Sequence, residues 1–202
     1  IIIPEVKKIL KIRKIYFEDI FIAHSYERVM PGINYFDSIR EYWRVYAGIN
    51  DKSAKKCEQF LKTFINTKKY ELTRLDNIRS SELSKILENT YRAVTISLMD
   101  EWTKFANSIN VDLFQVSDAI RKRNTHSNIR YPGLGVGGYC LTKDPKFAEI
   151  SSKKIFKFKK LSFPLSNLSV DINNKMPEFA VDSIKSYFGK KLKKSSVLIM
   201  GL

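Results

Sequence analysis

Ser80-Ser81-Glu82-Leu83-Ser84-Lys85-Ile86-Leu87-Glu88-Asn89-Thr90-Tyr91-Arg92-Ala93-Val94-Thr95-Ile96-Ser97-Leu98-Met99-Asp100-Glu101-Trp102-Thr103-Lys104-Phe105-Ala106-Asn107-Ser108 carries apolar residues at Leu83, Leu87, Tyr91, Val94, Leu98, Trp102 and Phe105. Steps of three and four residues mark one face of an α-helix. At 1.5 Å per residue the predicted helix is roughly 40 Å long. Ser81 to Ser84 read as its caps. A second apolar set, Ile86, Ala93, Ile96, Met99 and Ala106, occupies other faces. A helix this apolar all round is buried on several sides, which favours a subunit interface. The periodicity on either side is helical as well: Asp51 to Phe64 before it, Asp112 to Arg123 and Pro164 to Phe188 after it.

Further out the pattern changes. Pro4 to Lys14 has helical spacing and Ile20-Phe21-Ile22-Ala23-His24 reads as a short apolar strand. Ser195-Ser196-Val197-Leu198-Ile199-Met200-Gly201-Leu202 reads as a buried parallel strand entering a glycine turn. These ends predict pieces of α/β domains around a mostly α middle, and hence a fragment of a longer protein. Counting glycine as apolar, the longest apolar run is Val197 to Leu202, far short of the ~20 residues a membrane helix needs. Cys57 and Cys140 stand 83 positions apart, which excludes a disulfide scaffold, and two histidines argue against a Cys/His metal site. A reducing, cytoplasmic compartment is the expectation. Lys and Arg number 36 against 21 Asp and Glu, giving +15. The lysines are spread along the chain without a zinc finger, stacking motif or helix-turn-helix, so solvated basic faces are expected rather than nucleic-acid binding.

Four of the eight glycines lie in Gly133-Leu134-Gly135-Val136-Gly137-Gly138, followed by Tyr139-Cys140-Leu141-Thr142-Lys143-Asp144-Pro145. Gly133, Gly135 and Gly138 match G-x-G-x-x-G literally, but Asn124 to Pro132 before them is polar and ends in proline, not an apolar strand. What remains is a loop whose backbone can approach a ligand closely. Cys140 ends that loop, and Asp144-Pro145 reads as an N-cap and first turn for Lys146-Phe147-Ala148-Glu149-Ile150. A thiol beside a helix N-terminus and Lys143 has its thiolate favoured, as a nucleophile requires. Cys57, inside a helix, reads as packing. Lys85 and Asn89, spaced i, i+4, share a helix face where they can hold an anionic or polyhydroxyl substrate.

Four blocks together resemble the UDP-glucose/GDP-mannose dehydrogenase family: Ser25 to Gly32, Lys85 to Ala93, Pro132 to Asp144, and Met176-Pro177 leading to Val197-Leu198-Ile199-Met200-Gly201. The resemblance implies a helical dimerisation domain of the 6-phosphogluconate-dehydrogenase-like kind, flanked by remnants of two Rossmann-type domains. In this division residues 1–36 end the NAD-binding domain, 37–78 close it, 79–175 form the central domain with its catalytic loop, and 176–202 give a linker helix and the first strand of a UDP-binding domain. It also implies oxidation of a UDP-hexose at C6, twice, by NAD, through a thiohemiacetal and a thioester on Cys140. Lys85 would stabilise charge on the sugar oxygen, Asn89 position it or a water, Asp144 orient Lys85 and assist proton transfer, and Glu27 serve thioester hydrolysis. Arg130, Tyr131, Pro132, Gly133 and Gly137, with Lys85, would line the sugar and its diphosphate; Lys143 and Glu27 would face the cofactor. No metal is implied.

The blocks fall between subfamilies. Glu27-Arg28-Val29-Met30-Pro31-Gly32 looks like enzymes acting on UDP-N-acetylhexosamines, whereas Gly138-Tyr139-Cys140-Leu141 with Lys143-Asp144 looks like those acting on UDP-glucose, and Thr142 stands where proline is common. The sugar stays open between the two. No segment supplies the dinucleotide's pyrophosphate loop, so the chain alone is expected to be inactive. The partners expected are the UDP-sugar and a second copy of the chain, with neither nucleic acid nor membrane. A helical dimerisation module without its own activity is the alternative.

Overall fold

The computed structural model describes residues 2–30, 32 and 34–200. The chain divides into two compact units, Ile1–Lys85 and Ile86–Leu202. Among the described residues no helix is long and apolar enough to cross a membrane.

The first unit runs α1 (Ile2–Ile12), β1 (Ala23–Ser25), α2 (Tyr35–Arg40), β2 (Arg44–Gly48), α3 (Asp51–Leu61) and β3 (Leu72–Arg74). Its sheet has β2 in the centre: β1 lies antiparallel to it, with Ala23 opposite Gly48, and β3 parallel, with Arg44 opposite Leu72. All five residues of β2 are buried. Tyr46 packs with Ala54, Leu61 and Ile65, and Cys57, Phe64 and Leu72 close the cluster. Cys57 is thus packing, and burial raises its thiol pKa. A parallel pair needs a crossover, and α3 provides it. The turn into α3 is tight: a Cβ on Gly48 would stand 2.3 Å from the Ala54 amide nitrogen. Asn50 then caps α3, its side chain accepting from the Ser53 N–H at 2.8 Å. The sequence reading anticipated α1, α3 and a strand near β1, but not α2, β2 or β3, and the sheet straddles the boundary expected at residue 36.

Helix α4 (Ile78–Ser108) has 31 residues. Its start corrects the caps read from the sequence. Asn77 accepts from the Ser80 N–H at 3.0 Å, so Ser81 and Ser84 lie inside the helix, where Ser81 Oγ meets His24 Nδ1 at 2.9 Å. Of the apolar sets on α4, the second contributes the core: Ala93, Met99 and Ala106 are buried, the last two packing with Leu113 and Ile129. The stripe that defined the helix is outside. Leu83, Leu87, Tyr91, Leu98, Trp102 and Phe105 are each between 49% and 63% exposed. That stripe recurs at eleven residues (Leu83, Val94, Phe105; Leu87, Leu98; Tyr91, Trp102), close to three helical turns, so it runs nearly along the helix axis.

After α4 come α5 (Leu113–Arg121), capped by Asp112, α6 (Asp144–Lys154) and α7 (Pro164–Phe188). Glu149 joins α6 to α7, accepting from the Asn167 carboxamide and from the Phe163 N–H. Positions 175/176 lie inside α7, a continuous helix. One expectation fails here: residues 195–200 form no strand, and Val197 to Met200 are 49% to 86% exposed. An apolar run becomes a strand only where a neighbour takes its backbone groups. The end of that run, Gly201 and Leu202, lies outside the described residues, as do Ile1, Pro31 and Ile33.

Candidate active site

The glycine loop is entered from α5. Tyr131 stacks on Phe114 with centroids 5.9 Å apart, gives its hydroxyl to Asp118 at 2.6 Å, and carries the Arg121 guanidinium 4.6 Å from its ring centre. The bond to Asp118 pushes the phenol pKa upward. Tyr131, read as a substrate contact, makes these contacts while staying 45% exposed. Arg130 keeps a buried Nε without a partner among the described residues. Pro132 is half-buried, and Gly133 and Gly137 are exposed with open space where a Cβ would point. Gly135 and Gly138 are left-handed, both at φ +83°.

Cys140 is exposed at the end of this loop. Its carbonyl accepts from the amides of Lys143, at 3.2 Å, and Asp144, at 2.9 Å, closing the turn that opens α6. Asp144 is not the cap expected of it. It is the first residue of the helix, and Lys143 holds the cap position without a capping bond. The Asp144 carboxylate is engaged otherwise: one oxygen accepts from Asn89 Nδ2 at 2.7 Å and the other from Lys143 Nζ at 2.7 Å. Asp144 and Asn89 are buried, at 5% and 4% exposed. The bond to Asp144 raises the Lys143 pKa above the ordinary ammonium value, and Lys143 lies 4.8 Å from the Phe147 ring centre. A cation and an amide on one buried carboxylate form a fixed, charge-assisted cluster beside the thiol's turn.

In the first unit Lys85 Nζ donates to the Glu27 carbonyl at 3.0 Å, stands 3.9 Å from the Glu27 carboxylate and lies 5.5 Å from the Tyr26 ring centre. The Glu27 carboxylate also accepts from the Val29 N–H. The structure thus brings Glu27 to Lys85, and Asn89 and Lys143 to Asp144. The sequence reading missed Arg44, which is 6% exposed and donates to the carbonyls of Tyr26 at 3.1 Å and Ile39 at 3.2 Å. Burial lowers its pKa, with the Glu27 charge opposing. It pins the backbone just before Glu27, and an arginine heading an apolar pentapeptide was the signal for it. Lys85 and Asn89 sit one turn apart on α4. Among the described residues no group of His, Cys, Asp and Glu is arranged to hold a metal.

Comparisons with known proteins point one way. Residues 79–175 match the central domain of the UDP-glucose/GDP-mannose dehydrogenase family. The UDP-N-acetyl-D-mannosamine dehydrogenase of Methanocaldococcus jannaschii is 35% identical over 193 residues, covering 95% of this chain and 40% of the relative. The structure of the UDP-D-ManNAc dehydrogenase from Pyrococcus horikoshii superposes with a TM-score of 0.70 at 29% identity, over 93% of this chain and 43% of that one. The UDP-N-acetyl-mannosamine dehydrogenase of Staphylococcus aureus gives 0.70 at 30% identity, over 95% and 41%. The chain spans about two-fifths of the length of the curated relatives it matches. With the glycine–cysteine loop, the buried Asn89–Asp144 pair and these matches together, the chain belongs to the UDP-glucose/GDP-mannose dehydrogenase family.

Proposed function

We propose that this chain is the catalytic segment of an NAD-dependent dehydrogenase that oxidises C6 of a UDP-N-acetylhexosamine to the uronic acid. The Asn89–Asp144–Lys143 cluster at the turn that carries Cys140 is the observation that supports it most. The activity for which the relatives are named favours the N-acetylhexosamine over glucose. In this reading the Cys140 sulfur adds to the C6 aldehyde carbon, a C–S bond forms, and the carbonyl electron pair moves onto oxygen. Lys85 stabilises that oxygen and Asn89 holds it or a water in place. Asp144, with its two partners, fixes Asn89 and relays the proton. The thioester is that adduct less its C6 hydride; Glu27 then takes a proton from the water that attacks it, the C–S bond breaks, the carboxylate leaves and the thiol is restored. Arg130, Tyr131, Pro132, Gly133 and Gly137, with Lys85, line the sugar and its diphosphate, and Lys143 and Glu27 face the cofactor.

NAD supplies the hydride acceptor. The described residues do not fit its pyrophosphate: at the two short turns from strand into helix, β2 to α3 and β3 to α4, a side chain already takes an opening amide, Asn50 that of Ser53 and Asn77 that of Ser80, and Gly48 is packed on Ala54. That seat belongs to another part of the enzyme. The domain division at 36, 78 and 175, the Rossmann-type flanks and the cytoplasmic setting belong to this proposal. So does a homodimer built on the exposed α4 stripe, since an apolar surface of that length is unusual on a monomer.

The test is Cys140→Ser in the full-length enzyme. UDP-sugar binding should persist while uronate formation falls by about 10³–10⁶, with Cys57→Ser near neutral. Near-normal uronate release from Cys140→Ser would remove the nucleophile and the mechanism with it.

A further inference from the structure

Val136 stands between Gly135 and Gly137 and gives both its main-chain groups to one side chain. Its N–H donates to Asn173 Oδ1 at 2.7 Å and its carbonyl accepts from Asn173 Nδ2 at 2.9 Å. Asn173 lies within α7, 37 positions away. A carboxamide offers an acceptor and a donor side by side, so it serves the loop as a neighbouring strand residue would. From α4, the Asp100 carboxylate meets the Gly135 amide. A Cβ on Gly135 would come to 3.0 Å from both Asn173 Oδ1 and Met176 Cβ, whereas Gly133, Gly137 and Gly138 would meet nothing within 4 Å. The loop is therefore anchored at residues 135 and 136 and open at 137. Its next fixed points are the Gly138 carbonyl, which accepts from Thr142 Oγ1 at 2.9 Å, and the Cys140 carbonyl at the start of α6.

We propose that Asn173 is a positioning residue for Cys140: by holding both backbone groups of Val136 it sets where the thiol stands against Lys143 and the first turn of α6. Its catalytic meaning rests on the reading of Cys140 as nucleophile; the clamp itself does not. Neither Leu nor Ala can make either bond. An ionised Asp can accept from the Val136 N–H, but it sets a second oxygen against the Val136 carbonyl. A protonated Asp can make both bonds.

The experiment measures thiol reactivity with 4,4′-dithiodipyridine between about pH 3 and 7 in the 202-residue chain and in Asn173→Leu and Asn173→Asp, with Cys57 as the reference in the same molecule. Asn173→Leu should slow Cys140 by about threefold or more near pH 7 without changing Cys57, because a loose loop spends less time against Lys143. Asn173→Asp should approach the unaltered chain near pH 3, where its carboxyl is protonated, and follow Asn173→Leu near pH 7, once that carboxyl has ionised. General loosening of the fold has no reason to reverse with pH in one variant only. Cys140 rates within about twofold of the unaltered chain, or two variants running parallel at every pH, would overturn the proposal. Should either variant fail to fold, amide exchange in the unaltered chain decides: Val136 should exchange about tenfold or more slower than Gly137, and equal rates refute the clamp. Cys140→Ser kinetics test the nucleophile separately, so either idea can fall alone.

Discussion

Asp100→Asn should make the helical unit more stable at neutral pH. Asp100 is 1% exposed, and one of its carboxylate oxygens is buried without a partner among the described residues. Burial pushes its pKa above the ordinary 3.8, and the Gly135 amide and the Lys104 charge offset only part of that. The folded state therefore holds the Asp100 proton more tightly than the unfolded state does. The stability this provides is full below the unfolded value and is lost as pH rises through the folded one. At pH 7 and above the fold carries a buried charge with an unsatisfied oxygen, which costs about 1–3 kcal/mol. Asparagine has nearly the same volume, keeps an oxygen for the Gly135 N–H and removes the charge. A gain of about 1–2 kcal/mol in a chain of this size raises Tm by roughly 3–6 °C. Calorimetry or circular dichroism at pH 7.5 and at pH 3.5 reads both arms. The gain should be present at the first and absent at the second. An equal gain at both would assign the effect to packing, and a lower Tm at pH 7.5 would mean that the ionised carboxylate is well satisfied, refuting the reasoning.

Two further outcomes follow from geometry. Gly48→Ala should destabilise the first unit by about 3 kcal/mol, at the upper end of overpacking costs, because the atoms 2.3–2.8 Å from the new methyl are backbone and cannot rotate away; urea unfolding followed by tyrosine and tryptophan fluorescence checks it. Leu87→Asp with Leu98→Asp should convert a dimer at micromolar concentration into monomer with little change in unfolding midpoint, since both side chains are about half exposed or more. Sedimentation of the unaltered chain as monomer would end the dimer reading.

Much of the helical unit was legible in the sequence. Pro164 and Gly189 punctuate α7 clearly enough that its limits were read as they stand. Helical period does not say which stripe faces inward, however. On α4 the larger apolar side chains drew the eye, yet the core took the smaller alanines and a methionine, which let neighbouring elements approach. Short strands carry little signal: β2 has five residues, and only its partners and α3 make it a centre. Asp144-Pro145 looked like a cap because local sequence cannot show that Asn89, 55 positions earlier, claims the carboxylate. Asn173 and Asp100 were invisible for the same reason, since their business is with a loop remote in sequence.

Helix α4 also constrains how such a chain can drift. Asn89 meets Asp144, and Asp100 meets Gly135. Eleven residues at about 100° each return to within about 20° of the same bearing. Replacing a letter on the outer stripe leaves that alignment untouched. Inserting or deleting a single residue between the two turns one contact by about 100° relative to the other and shifts it by about 1.5 Å. Either the buried carboxylate loses its amide or the glycine loop loses its acid. The spelling of this helix can thus change, while its length between positions 89 and 100 has to stay as it is to serve as a gauge between two chemical fittings.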